Sequence, residues 1–154
     1  SSRIVYRSWH PKNEIEATRY KTLLGQNSIE PLALQIRTMD LKGNQKVQVT
    51  NNEAANFAPY FHPDGRRIIF SSNLADPKGR NFDLYLIGDN GKGLERVTTC
   101  PSFDGFPMFS RDGRRLVFAS NRANAGPRDT NLFLAEWLEV PSTESAGLKS
   151  PVAD

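Results

Sequence analysis

Short β-branched and aromatic runs separated by glycine-bearing turns dominate the chain, and they recur at a fixed spacing. A shift of 48 positions lays Pro59-Tyr60-Phe61-His62-Pro63-Asp64-Gly65-Arg66-Arg67-Ile68-Ile69-Phe70-Ser71-Ser72-Asn73 on Pro107-Met108-Phe109-Ser110-Arg111-Asp112-Gly113-Arg114-Arg115-Leu116-Val117-Phe118-Ala119-Ser120-Asn121 without a gap. The same shift carries Asp83-Leu84-Tyr85-Leu86 onto Asn131-Leu132-Phe133-Leu134. A partial copy lies upstream: Gly43 and Val49-Thr50 fall on Gly91 and Val97-Thr98, and Arg3-Ile4-Val5-Tyr6 reads like Arg67-Ile68-Ile69-Phe70. A period of this size marks a repeat architecture.

Each copy predicts four short strands: A over 58–61 and 106–109, B over 67–72 and 115–120, C over 83–87 and 131–135 with an earlier copy at 34–39, and D over 46–50 and 94–98. The A-to-B link His62-Pro63-Asp64-Gly65 supplies proline to fix φ, aspartate to fold onto nearby backbone and glycine for a left-handed position. The expected fold class is therefore all-β, built from β-propeller blades: about three four-stranded antiparallel blades, the first and last incomplete. Residues 1–50 form a partial first blade, 51–98 the second, 99–140 a third lacking its last strand, and 141–154 a flexible tail without periodicity. One segment departs from the pattern. Asn13 can cap a helix with Glu16 three residues on, Ala17, Tyr20, Leu23 and Leu24 form an apolar stripe, and Gly25 can end it, so a short helical insertion is predicted at about 14–24. Its stripe is expected to pack against neighbouring blades.

Composition narrows the chemistry. The 154 residues are 38% hydrophobic and 24% charged, enough for a packed core, and no apolar run approaches the roughly 18 residues of a transmembrane helix. Twenty Lys and Arg against 17 Asp and Glu leave a net charge of +3, too small an excess to imply nucleic acid. The single cysteine, Cys100, rules out an internal disulfide framework and a multi-cysteine zinc site. His10 and His62 each precede a proline at turn positions, and no nucleophile elbow, zinc helix or phosphate-binding glycine loop occurs, so no catalytic residue, metal site or cofactor is expected.

The units 59–73 and 107–121, followed by Leu-aromatic-Leu strands, resemble the WD40-like PD40 repeat of the TolB-type β-propellers, with Pro63-Asp64-Gly65 as the signature turn and Arg111 in place of proline in the second copy. The resemblance covers about residues 3–138. It implies a bacterial, periplasmic or secreted protein. The family includes TolB translocation proteins, secreted proteins of unknown role, and propeller domains attached to peptidases and amidohydrolases.

Alternating strand direction puts the A-to-B and C-to-D turns on one face and the longer B-to-C and D-to-A loops on the other. The loop-rich face is where binding is expected. Asn56 and Asp104 stand at equivalent positions before strand A; they form a polar ring toward the channel mouth for a ligand, metal or partner loop, or they simply cap loop backbone. Asn73 and Asn121 end strand B, as turn residues or as contacts, while Asp76, Lys78, Arg80 and Arg128 offer a charged partner surface or ordinary solvated loops. The functional expectation is a non-catalytic module binding a protein or peptide. The alternatives are an accessory propeller of a peptidase or amidohydrolase whose catalytic domain lies outside this chain, and a small-molecule or metal site at the channel mouth. Because closed propellers usually need four to eight blades, the chain is expected to be the C-terminal portion of a longer propeller, or to assemble with copies of itself.

Overall fold

The computed structural model describes residues 2–28, 33–123, 126 and 129–139. The expected tail over 141–154, like Arg128, lies outside them. Along the described chain run β1 (Arg3–Ser8), α1 (Glu14–Gly25), β2 (Gln35–Asp40), β3 (Val47–Gln48), β4 (Asn56–Phe61), β5 (Arg67–Ser72), β6 (Asp83–Gly88), β7 (Glu95–Arg96), β8 (Asp104–Phe109), β9 (Arg115–Ser120) and β10 (Asn131–Glu136). They make three antiparallel sheets, ordered β1-β2-β3, β4-β5-β6-β7 and β8-β9-β10, which are the three blades.

The tight turns close as their residues demand. In the second blade the N–H of Gly65 donates to the His62 carbonyl at 2.9 Å with Gly65 at φ 71°. Asp64 Oδ1 accepts from the N–H groups of Arg66 and Arg67 at 2.8 and 3.1 Å. The third blade keeps this turn without the proline, because the Ser110 hydroxyl accepts from the N–H of Arg115 at 2.9 Å and Gly113 adopts φ 72°.

Strand D is shorter than predicted, two residues in each case. The Val-Thr pair after it explains why. Thr50 Oγ1 accepts from the N–H of Ile36 at 2.8 Å, and Thr98 Oγ1 from the N–H of Leu84 at 3.0 Å. A side-chain hydroxyl thus stands in for the backbone ladder, and the chain turns inward to seat Val49 and Val97 in the core.

Two cores related by the repeat lie between blades. Between the first and second, Ile36 and Val49 meet Ile68, Phe70, Tyr85 and Ile87, with Val5 and Phe61 at the margin. Between the second and third, Ile69, Leu84 and Leu86 meet Phe109, Leu116 and Phe118, with Val97 and Phe133 at the margin. On the tight-turn side each junction carries an ionic clasp: Arg3 reaches Asp89 at 2.7 Å, and Arg67 reaches Glu139 at 2.6 Å.

The helix starts as expected, Asn13 Oδ1 accepting from the N–H of Glu16 at 2.9 Å. Gly25 is its last helical residue rather than the one that stops it. Gln26 is the cap, Asn27 takes the left-handed conformation at φ 53°, and the N–H of Ser28 closes on the Leu23 carbonyl at 2.9 Å. Nor does its apolar stripe enter the blades. No helix residue is buried, and Trp9 packs against its Tyr20, ring centroids 5.0 Å apart. Only three of the four stripe positions are half-buried and Ile15 is exposed, so the apolar area is too narrow to dock on a sheet.

Candidate functional site

On the loop-rich face the first row of the second sheet, and of β8 and β9 in the third, is polar and buried. Asn56 pairs with Ser72, and Ser72 with Asp83; in the next blade Asp104 pairs with Ser120. Asn56 is fully enclosed. Its Oδ1 accepts from the Ser72 hydroxyl at 2.7 Å, and its Nδ2 donates to the Leu34 carbonyl at 2.7 Å and to Asn52 Oδ1 at 2.9 Å, tying the second blade to the first. Asp104 is equally enclosed and its Oδ2 is held by Arg122, whose guanidinium lies over the Phe118 and Phe133 rings at 5.1 and 5.6 Å. Asn56 is thus committed to Ser72 and to neighbouring backbone, and Asp104 to Arg122, with Asp104 Oδ1 buried and without a partner.

Asn73 is also buried, its Oδ1 accepting from the N–H of Ala55 at 2.8 Å and its Nδ2 donating to the Pro77 carbonyl at 3.1 Å, which folds the 73–79 loop. Asn121 Oδ1 is buried without a hydrogen-bond partner. Asp83, whose Oδ2 pairs with Arg96 at 2.8 Å, likewise keeps Oδ1 unpartnered; burial pushes its carboxyl up, against the pull of Arg96. Asp76, Lys78 and Arg80 stand exposed on the loop that Asn73 braces.

Beside this row lies a feature that the repeat does not announce. Phe57, Phe82, Phe103 and Phe106 form one aromatic cluster, with Phe57 edge-on to Phe82 at 5.1 Å and to Phe106 at 5.5 Å, and Phe82 against Phe103 at 6.0 Å. Phe106 is 58% exposed. It also sits at φ 56°, a conformation bulky side chains avoid. The equivalent Ala58 shares this geometry at φ 47°, because strand A carries a bulge in both blades. The signal was in the misfit between copies: the repeat puts Ala55 and Ala58 where the third blade has Phe103 and Phe106, and Gly105 where the second has Phe57.

A concavity of about 220 Å³ opens at the loop end of the first blade, lined by Ser8, Trp9, His10, Lys12, Gln35, Arg37 and Asn52 among others. Ser8 Oγ and Arg37 Nε at this cleft have no hydrogen-bond partner. Among the described residues no group of three histidine, cysteine or carboxylate side chains could hold a metal ion, and no helix is long and apolar enough to cross a membrane.

Repeated antiparallel sheets of three, four and three strands, face-to-face cores and a loop-rich end define a β-propeller module. The TolB beta propeller domain model (PD40) matches residues 26–127, and the chain belongs to that family. Among solved structures it is similar to one assigned as TolB from Agrobacterium tumefaciens, at 29% identity and TM-score 0.58 over 68% of this chain and 38% of that one. It is also similar to TolB from Acinetobacter baumannii, at 20% identity and TM-score 0.54 over 68% of this chain and 24% of that one. An oligogalacturonate lyase in complex with manganese shares the fold at 19% identity and TM-score 0.55, over 88% of this chain and 36% of that one. No curated protein matches. The chain spans well under half the length of each of these structures.

Proposed function

We propose that this chain is a non-catalytic TolB-like propeller module that binds a protein or peptide through its loop-rich face, in the periplasmic or secreted setting of its family. The observation that carries the reading is the phenylalanine cluster. Aromatic rings exposed at the centre of a polar rim are the usual anchors of protein interfaces, and Phe106 keeps its ring in solvent at the cost of left-handed backbone. In this reading Asp76, Lys78 and Arg80 form the rim, while Asn56, Asn73 and Asp104 brace the structure beneath it.

The test is selection of peptides from a displayed random library on the immobilised chain, followed by affinity measurement. Phe106→Ala is expected to weaken selected peptides about tenfold or more. Failure to enrich any peptide, or affinities indifferent to Phe106→Ala, would overturn the reading.

A second reading, a small polar ligand in the cleft, is favoured by the unpartnered Ser8 and Arg37 donors there. It calls for a small carboxylate whose binding, followed by calorimetry, is lost in Arg37→Gln.

A further inference from the structure

The two inter-blade cores are one core written twice, and a third is half written. On the side facing the following blade, the first blade presents Val5, Ile36 and Thr38, the second Ile69, Leu84 and Leu86, and the third Val117, Leu132 and Leu134, all equivalent by the repeat. The following blade seals the first two sets: Ile36 and Thr38 are 0 and 2% exposed, and Ile69, Leu84 and Leu86 are 0, 0 and 5%. In the third set Leu132 is 78% exposed and Leu134 67%.

The opposite surface is open on the first blade. There Ile4, Tyr6 and Met39 occupy the positions that Ile68, Phe70 and Ile87 fill in the second, and Arg37 stands beside them at the place of Tyr85. Ile68, Phe70 and Ile87 bury completely or nearly so against the first blade, whereas Ile4 is 38% exposed.

Charge follows the same grammar. The first residue of strand B pairs with a carboxylate just past strand C of the next blade: Arg3 with Asp89, and Arg67 with Glu139. Arg115 holds that position in the third blade, is exposed, and has no ion pair among the described residues. In the first blade Asp40, at the end of β2, is the carboxylate in the matching place.

We propose that the open face of the third blade is the seat of the first blade of a second copy of this chain. Leu132 and Leu134 then close on Ile4, Tyr6 and Met39 of the second copy, and Arg115 pairs with its Asp40. Two copies related by a two-fold axis make two such junctions and close at six blades, within the range of closed propellers. This inference is independent of the loop-rich face and its partner.

The experiment is sedimentation velocity on the wild-type chain across a concentration series, with Leu134→Asp as the junction variant. Leu134 is exposed within one copy, so the variant keeps its fold, checked by circular dichroism. A reversible monomer–dimer equilibrium that Leu134→Asp weakens about 100-fold supports the proposal. A Cys100→Ser chain carrying Ile4→Cys and Leu132→Cys is then expected to form disulfides between copies. A strict monomer, a dimer indifferent to Leu134→Asp, or a ladder of larger species each overturns it. A monomer in which residues 131–135 resist hydrogen exchange until residues 140–154 are removed would assign the face to the chain's own end, and overturns it as well.

Discussion

A hydroxyl group does backbone work at the end of each complete blade edge. Thr98 Oγ1 takes the N–H of Leu84, a residue that is wholly buried, so replacing it by the isosteric valine leaves a donor without a partner in the core. Thr98→Val is expected to lower unfolding free energy by about 1–3 kcal/mol in chemical denaturation, while the exposed neighbour change Thr99→Val stays within about 0.5 kcal/mol. Asp64 shows the same economy with charge. Partial burial raises its carboxyl, but the N–H groups of Arg66 and Arg67 and the Arg67 guanidinium outweigh that and hold it at about 2, below its ordinary 3.8. A depressed carboxyl contributes stability that is complete above about pH 4 and is lost as pH falls toward 2. Glu139, lowered chiefly by its hydrogen bond to Arg67, acts in the same direction. Wild-type melting temperature is therefore expected to fall more steeply between pH 4 and 2 than that of Asp64→Asn, measured by calorimetry; parallel curves would contradict the assignment.

At the scale of elements, what repeats was readable and what serves one blade was not. Strands A, B and C and their glycine turns recur because each blade needs the same pleat and the same reversal, so the 48-residue period displays them. Strand D came out shorter because Val-Thr reads as strand, yet ends one by turning a side chain inward. The buried roles of Asn56 and Asp104 depend on partners 16 to 22 residues away, such as Ser72, Arg122 and Leu34, which no local pattern reveals. The phenylalanine cluster was hidden for the opposite reason: its rings come from positions where the copies disagree. The helix belongs to no repeat, and its cap was legible because it is local. Since α1 rests on Trp9 rather than on a sheet, Asn13→Ala is expected to cost about 1 kcal/mol of helix stability. That loss should appear as faster amide exchange over 14–25, with little change in the cooperative melting of the blades.

For the whole molecule, the inter-blade arginine clasps and the proposed recognition surface lie at opposite ends of the strands. The tight-turn end carries the arginine clasps between blades, and the loop-rich end carries the aromatic cluster and the charged 73–80 loop. At the turn end the charge of Arg67 is partly neutralised by Asp64 and Glu139. The central claim is that the loop-rich end is the working surface. Hydrogen-exchange mass spectrometry of the chain with and without a saturating selected peptide tests it most directly. Protection is predicted over 73–82 and 99–107, with 62–67 and 110–115 unchanged; protection confined to those tight turns would contradict the account.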